Sequence, residues 1–230
     1  VSIIVTGNES INEYLDFNFE KTNDGVKVWT DKKSDWSSWL RSPRYKVIVG
    51  VPNNFNVDLK TSGGDIKVTS LNGELELSTS GGDILIDNSE GSLLAKTSGG
   101  DVKSNNFNGS SILKTSGGDI DALNSNGNIE ARTSGGDIKL ITNNGSVVGA
   151  TSGGDVELIY SGYNEGIELS TSGGDINLKL PNDFSADIKL KTSGGKVKCN
   201  YSPVKVDEVS KAKFYGKLNN GGKNVICKTS

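Results

Sequence analysis

The stretch TSGGDIKVTSLNGELELS, residues 61–78, is the unit from which most of this chain is built. Its first four letters occur eight times; five intervals are eighteen residues long, and the last two are twenty and twenty-one. The copies start at Thr61, Thr79, Thr97, Thr115, Thr133, Thr151, Thr171 and Thr192. A glycine also recurs every nine residues from Gly64 to Gly154. Such a fixed period indicates stacked structural repeats, each consisting here of two similar halves.

Each half of the repeat has the pattern of a short β-strand with one buried face. The second and fourth residues after each glycine are apolar at all but three of the twenty-two positions from Ile66 to Leu158. The exceptions are Ser104, Ser111 and Gly149. Charged residues such as Asp65 and Lys67 stand between the apolar ones, and this alternation is typical of strands. Gly-Gly or Asn-Gly precedes most of these segments and favours a turn, because these residues tolerate positive φ.

Two architectures fit short strands joined by such turns. Asn-Gly alone favours an antiparallel meander of hairpins. A meander would leave one apolar face bare, because the sequence offers no second layer, whereas a solenoid of eighteen-residue coils covers itself. Stacked coils also place identical residues above one another at about 4.8 Å, which explains a repeat kept at the level of single residues. We therefore predict an all-β, parallel two-sheet β-solenoid (β-helix) over residues 57–230, with right-handed winding expected from parallel crossovers in general.

The solenoid geometry makes a prediction about its core. Strands of the two sheets run in opposite senses, so the fourth position of one half should face the second position of the next. Ser104 should then face Ser111 on one coil. Two buried hydroxyls in this arrangement can pair directly or through water, which would satisfy the one polar break in the core.

Residues 1–56 lack the glycine period but contain alternating runs at 2–6, 14–20, 26–30 and 45–51. The three tryptophans of the chain, Trp29, Trp36 and Trp39, also lie here. Bulky aromatic residues suit the closure of an open solenoid end. We predict a β capping region continuous with the solenoid, with a short helix near Ser37–Arg41. An aromatic ligand platform is the alternative.

The C-terminal part departs from the period and is basic. Residues 200–222 are predicted to be an insertion in the final coil that projects as a loop. Residues 191–230 carry nine lysines and two acidic residues, a net charge of +7, against −10 for the rest. The lysines could protect the last open strand edge, or contact a polyanion such as an envelope polymer or an anionic lipid surface. The aromatic residues of the C-terminal part could form a surface that binds a partner, or a cap that folds over the end of the solenoid. The candidate partner-binding residues are Lys196, Lys198, Lys205, Lys211, Lys213, Lys217, Tyr160, Tyr163 and Tyr215.

Seven aspartates follow the Gly-Gly pairs, and stacking should align them along one corner. They are Asp65, Asp83, Asp101, Asp119, Asp137, Asp155 and Asp175. We interpret them as a solvated turn ladder whose repulsion, about 1 kcal/mol or less per pair, is offset by nearby cations. These cations are Lys60, Lys96, Lys114 and Arg132. The alternative is a calcium ladder, because glycine and aspartate nonapeptides build calcium-binding β-rolls. The spacing argues against calcium, since Asp65 directly precedes Ile66 and the alternate halves lack aspartate.

Catalytic chemistry has little support in this sequence. The chain has no histidine, which excludes the usual serine or cysteine triads, and two cysteines without histidine argue against zinc. The Gly-Gly pairs lead into strands rather than helices, so they do not build a phosphate loop. Cys199 and Cys227 fall on inward positions as core fillers, either as free thiols or as a disulfide. We expect no enzyme activity and no cofactor.

The location of the protein is only indirectly indicated. The chain begins at Val1 and contains no methionine, so we expect that a preceding segment was removed. No stretch approaches the eighteen apolar residues of a membrane span, so the chain as given is expected to be soluble. We expect a monomer, and no nucleic-acid partner.

The repeated Thr-Ser-Gly-Gly-Asp-Ile/Val, after Val51-Pro52, resembles a bacterial adhesin domain family, otherwise known as a domain of unknown function and expected to be a β-solenoid. The resemblance covers roughly Tyr45–Ser230, and Lys196 in place of an aspartate departs from it. It implies an extracytoplasmic binding protein at the cell surface or envelope, and it supplies no catalytic or ligand residues. We therefore expect a non-enzymatic, adhesin-like binding module with an anionic polymer, glycan or protein partner. The alternative is a scaffold or interaction domain of a larger envelope-stress or regulatory protein, with no free ligand.

Overall fold

A computed structural model describes residues 1–7, 14–22, 25–33, 44–201 and 205–230. These residues form two compact units, Val1–Pro52 and Asn53–Ser230. The predicted boundary after residue 56 lies four residues beyond the boundary between these units. The first residues of the second unit already bond to the solenoid, since Phe55 N donates to Asn72 O at 3.0 Å.

The first unit contains two antiparallel strand pairs. The strands are β1 (Ser2–Gly7) with β4 (Tyr45–Gly50), and β2 (Leu15–Thr22) with β3 (Gly25–Lys32). The four strands predicted from alternation are thus present. Phe17 of β2 packs edge-on against Tyr45 of β4, with ring centroids 5.5 Å apart. The predicted helix near Ser37–Arg41, with Trp36 and Trp39, lies outside the described residues, and the capping role stays a prediction.

The second unit is a β-solenoid of about seven turns built from two facing sheets. Its described strands form a seven-stranded and an eleven-stranded sheet. The seven-stranded sheet is parallel throughout and consists of β6 (Ile66–Thr69), β8 (Ile84–Asp87), β10 (Val102–Asn105), β12 (Ile120–Ser125), β14 (Ile138–Thr142), β16 (Val156–Tyr160) and β18 (Ile176–Lys179). The eleven-stranded sheet begins with β5 (Val57–Lys60), β7 (Asn72–Ser78), β9 (Glu90–Lys96), β11 (Asn108–Lys114), β13 (Ile129–Arg132), β15 (Val147–Ala150) and β17 (Ile167–Thr171).

The register confirms the solenoid and excludes the meander. Ile66 pairs with Ile84 and Val57 with Leu75, so neighbouring strands in each sheet are parallel and eighteen residues apart. From β5 to β19, strands that follow each other in sequence alternate between the two sheets. The handedness of the winding stays a prediction.

The core consists of the predicted inward residues. The aliphatic side chains at the second and fourth positions are buried from β6 through β17. A Cβ placed on Gly149 would lie 3.4 Å from Cγ1 of Val156, as expected if the fourth position of one half faces the second position of the next. Ser104 and Ser111 are buried on consecutive strands, but Ser104 Oγ has no hydrogen-bond partner among the described residues. Direct pairing of the two hydroxyls is therefore wrong, because serine side chains are short relative to the roughly 10 Å between packed sheets.

Glycine permits a close approach of coils at both corners and a positive φ at one of them. At the corners after β8, β10, β12 and β14, Gly91, Gly109, Gly127 and Gly145 have the positive φ that was expected, and a Cβ on Gly91 would lie 2.2 Å from the carbonyl oxygen of Gly73. The Gly-Gly corners have no positive φ. There a Cβ on Gly82 would lie 2.2 Å from the carbonyl oxygen of Gly64, so the close approach of the coil below requires glycine.

The C-terminal part differs from the predicted loop insertion. The eleven-stranded sheet continues through β22 (Asn224–Thr229) and β19 (Ala186–Thr192) to β21 (Lys213–Leu218) and β20 (Lys205–Val209). β22 lies parallel between β17 and β19, and β21 and β20 add antiparallel strands beyond β19. Much of the insertion is therefore sheet, which satisfies the backbone hydrogen-bonding groups of β21 and those of β20 that face β21.

Candidate functional site

The threonine of each repeat is a structural residue. Thr97 is buried, accepts a hydrogen bond from Gly100 N at 3.4 Å and donates one to Gly82 O in the coil below at 2.9 Å. Thr79, Thr115, Thr133, Thr151 and Thr171 repeat both bonds. These hydroxyls are thus used for joining coils and are not displayed to solvent.

The aspartates at the same corner also join coils. Asp101 Oδ1 accepts the backbone N–H of Asp119 at 2.9 Å, and the same contact joins each aspartate from Asp65 to Asp175 to the next. Each carboxylate thereby satisfies a backbone donor that the corner would otherwise leave unpaired. Among the described residues, no group of histidine, cysteine, aspartate or glutamate could hold a metal ion.

Three of the four cations expected to offset this ladder bond elsewhere. Lys60 pairs with Asp58 at 2.9 Å, and Lys114 and Arg132 both pair with Glu130, at 3.1 and 2.9 Å. These pairs lie on the outer face of the eleven-stranded sheet, so the predicted compensation of the ladder by these residues is wrong. A carboxylate two residues away on the same strand face, or on the next strand, is closer to these cations than an aspartate across the corner. The cations therefore pair with carboxylates of their own sheet face.

An acidic groove of about 400 Å³ lies beside the aspartate ladder on the seven-stranded sheet. Its acidic lining consists of Asp119, Asp121, Asp137, Asp155, Glu157 and Asp175. Partial burial raises the pKa of Asp121. A hydrogen bond from Lys179 lowers the pKa of Glu157, which Lys139 also contacts at 3.5 Å. Lysines on the same face thus already partly neutralise the groove.

The opposite charge is concentrated at the far end of the eleven-stranded sheet. We define the lysine face as the outward side chains of Lys189, Lys191, Lys213, Tyr215, Lys217 and Lys228 on β19, β21 and β22. In the sheet register Lys191 stands between Lys228 and Lys213, and Lys189 stands beside Tyr215. Neighbouring strands lie about 4.8 Å apart, so these ammonium groups share one small area.

Acidic residues neutralise only part of the lysine face. Lys217 pairs with Asp187 at 3.5 Å, Lys213 with Glu208 at 3.3 Å, and Lys228 reaches Glu168 at 3.9 Å. Lys213 also lies 6.0 Å above the ring of Tyr215. Lys189 and Lys191 have no carboxylate within ion-pair distance among the described residues. The face therefore keeps a positive charge beside the aromatic ring of Tyr215, an arrangement that suits anions.

A family model matches residues 3–230 of the chain. The chain belongs to the Toastrack DUF4097 family. The function of this family is unknown. No curated protein and no solved structure matched. None of the residues that the structure describes form a helix with the length and apolar character needed to cross a bilayer.

The Toastrack solenoid brings together only some of the predicted partner-binding residues. Lys213, Tyr215 and Lys217 lie on the lysine face, whereas Lys205 pairs with Asp207 on the edge strand β20. The exposed Lys196, Lys198 and Lys211 lie near one another, since Val197 N donates to Lys211 O at 3.1 Å. These three occupy the end of the solenoid rather than its sheet face.

The predicted tyrosines have different environments. Tyr160 is 1% exposed, and its single hydroxyl proton lies between the carbonyl oxygens of Tyr163 and Gly145, at 2.7 and 3.0 Å from the hydroxyl oxygen. Its ring packs edge-on against Phe184 at 5.7 Å. Tyr160 is therefore a core residue and no part of an exposed surface, while Tyr163 is 91% exposed.

Both cysteines of this Toastrack chain are free thiols. Cys227 of β22 is buried between Leu169 and Leu190, and burial raises its pKa to about 12. The thiol is therefore inert at neutral pH. The disulfide that the sequence left open is not formed.

Sequence reasoning missed Lys189, Lys191 and Lys228 as members of the lysine face. A usable signal was present in β19, where Asp187, Lys189 and Lys191 alternate with inward apolar residues. The side chains that surround these lysines depend on where β22 lies in the sheet. No local sequence pattern indicates that position.

Proposed function

We propose that this Toastrack solenoid is a non-enzymatic, adhesin-like binding module of the cell surface or envelope, and that its lysine face binds an anionic polymer. The observation that carries the proposal is the in-register set Lys228, Lys191 and Lys213, beside Lys189. Two of these lysines lack a carboxylate partner among the described residues.

Physical reasoning supports an anionic ligand for this face. Like charges on adjacent strands destabilise a sheet, because their side chains are held a few ångströms apart. A polyanion would remove this repulsion and release its own counterions, so that binding weakens as salt is added. Tyr215 offers a flat surface for a sugar ring or other apolar part of the polymer.

The non-enzymatic part of the proposal rests on the use of the repeated side chains. The threonines and aspartates of the repeats bond to the neighbouring coil, and the chain contains no histidine. An active site needs one unique cluster of groups, whereas these residues recur identically on each coil.

Binding of the isolated chain to two polyanions, long-chain polyphosphate and dextran sulfate, tests the proposal. We expect saturable binding that weakens between 50 and 200 mM salt and is lost in Lys189→Glu/Lys191→Glu. The matched control is Lys67→Glu/Lys103→Glu on the other sheet, which changes the net charge equally. Equal loss in both variants, or no binding by the unaltered chain, would refute a site at the lysine face.

A structural scaffold within a larger envelope protein is the second candidate. The hydrogen bonds that the repeated threonines and aspartates make between coils favour this candidate, because they show that the repeat motif holds the solenoid together. Absence of binding to both polyanions, and to a panel of glycans, would favour the scaffold. Fractionation of cells that produce the full-length protein tests the proposed extracytoplasmic location.

A further inference from the structure

A predominantly cationic row of side chains runs along the outer face of the eleven-stranded sheet. We define the basic row as the ten in-register outward positions on the strands from β5 to β21. In order along the solenoid they are Lys60, Ser78, Lys96, Lys114, Arg132, Ala150, Ser170, Lys228, Lys191 and Lys213. Seven of the ten are cations, three are small, and none is acidic.

The basic row is not a general consequence of a solvated sheet face. The corresponding row of the seven-stranded sheet, again the second outward position of each strand, reads Thr69, Asp87, Asn105, Leu123, Ile141, Ile159 and Lys179, with one cation and one acidic residue among seven positions. In the neighbouring outward row of that sheet, Lys103, Asp121, Lys139 and Glu157 alternate in sign, and Lys139 pairs with Glu157 at 3.5 Å. Such alternation is how a solvated sheet ordinarily places charges on adjacent strands.

Acidic side chains pair with five of the seven cations of the basic row, but the compensation is incomplete. Lys114 and Arg132 share a single carboxylate, that of Glu130, and their hydrogen bonds hold its pKa below the usual value. Lys96 lies next to Lys114 in the register and has no ion pair among the described residues. Like charges side by side on adjacent strands destabilise a sheet. Arrangements that lower stability in this way concentrate at functional sites.

We propose that the basic row is the track of a linear polyanion that extends from the lysine face along the solenoid towards β5. The inference rests on the proposed function, because Lys228, Lys191 and Lys213 belong to both surfaces. Nine strand intervals give the track a length of about 43 Å. The small side chains at Ser78, Ala150 and Ser170 leave the path between the cations unobstructed.

The track makes affinity depend on the length of the ligand. A short anion contacts only the lysine face, whereas a chain longer than the track adds contacts to Arg132, Lys114 and Lys96. Each added contact releases counterions and makes the salt dependence steeper. A compact binding site would show neither effect.

The test measures binding of short and long polyphosphate chains to three variants. Lys96→Gln/Lys114→Gln removes two cations from the middle of the track and leaves Glu130 paired with Arg132. Lys67→Gln/Lys103→Gln changes the net charge equally on the other sheet. Lys96→Arg/Lys114→Arg keeps the charge. We expect the first variant to bind long chains about tenfold more weakly, with the salt slope reduced by about one per lysine removed.

Short chains should bind the first variant as they bind the unaltered protein, and the arginine variant should bind both lengths normally. Removal of like-charged neighbours should leave the melting temperature unchanged or raise it, which separates lost contacts from lost folding. Equal binding of long chains by the first variant and the control would overturn the track. The proposed function would survive that result if Lys189→Glu/Lys191→Glu still abolished binding, and would fail if it did not.

Discussion

Gly117 and Gly118 are adjacent in sequence but have different surroundings. A Cβ on Gly118 would lie 2.1 Å from the carbonyl oxygen of Gly100 and 2.7 Å from Asp101 Oδ1, whereas a Cβ on Gly117 meets nothing closer than 3.5 Å. We therefore expect Gly118→Ala to lower the free energy of unfolding by about 3 kcal/mol, because the coils must separate. Gly117→Ala should change it by less than about 1 kcal/mol. Urea unfolding of both variants measures the difference, and similar losses would contradict the close-approach explanation.

The aspartate ladder can be tested at one carboxylate. Asp119 Oδ1 accepts the backbone N–H of Asp137 at 2.8 Å. Asp119→Asn keeps an oxygen acceptor and removes a charge from the ladder, so we expect stability to be unchanged or raised by up to about 1 kcal/mol. Asp119→Ala leaves the N–H without this acceptor and should cost about 1.5–3 kcal/mol. Thermal melts with calcium and with chelator complete the test, since a higher melting temperature in calcium would contradict the coil-joining role.

For single residues, the sequence predicted where a side chain lies in the solenoid better than it predicted which hydrogen bonds that side chain makes. The position of Asp119 on a stacked corner follows from the period alone. Its bond to the N–H of Asp137 depends on how far each coil is displaced along the next, which a linear pattern does not report. The same displacement decides that Gly118, and not Gly117, faces a carbonyl oxygen.

The element that departed most from expectation is β22. Val225, Cys227 and Thr229 alternate as in any repeat strand, so their inward positions could be predicted. Alternation identifies the buried face of a strand and not its neighbours. Consecutive strands usually lie next to each other, and β22 instead separates β17 from β19. In this position Thr229 Oγ1 lies 3.0 Å from Thr192 Oγ1, which replaces the threonine-to-glycine contact of the regular coils.

Asn164 holds the entry to β22 in place. Its Nδ2 donates to Lys223 O and to Ser185 O, at 2.6 and 3.0 Å, and so ties the turn before β22 to the loop before β19. Asn164→Asp keeps the size of the side chain but removes both donors. We expect a loss of about 1–3 kcal/mol in the free energy of unfolding and faster amide exchange in β22, with the regular coils unaffected.

Asn182→Asp is the matched control, because it adds the same charge in an exposed turn where the side chain has no hydrogen bond among the described residues. Hydrogen exchange followed by mass spectrometry measures both variants. Unchanged exchange in β22 of Asn164→Asp would show that the strand is held by its sheet neighbours alone.

At the scale of the whole molecule, the two-sheet solenoid and the basic C-terminal end could both be predicted from the chain. The period alone determines a stack of coils, because only stacking explains identical residues at fixed spacing. The lysine face could be predicted only as a region. The charge of residues 191–230 is visible in the sequence, but Lys228 and Lys191 become neighbours only through the position of β22.

The eighteen-residue coil is the unit in which the solenoid should tolerate deletion. Deletion of residues 95–112 removes eighteen residues and joins Leu94 to Leu113, so that inward and outward positions keep their alternation. We expect a folded protein whose circular dichroism spectrum is still that of a β protein. Its free energy of unfolding should be lower by about 1–3 kcal/mol. Deletion of residues 95–111 is the matched control. It brings Ile112 to an inward position and turns Leu113 outward, and a slip of one residue exchanges the faces of a strand. The control should lose cooperative unfolding in urea, and equal stability of the two deletions would contradict coils that stack in a fixed register.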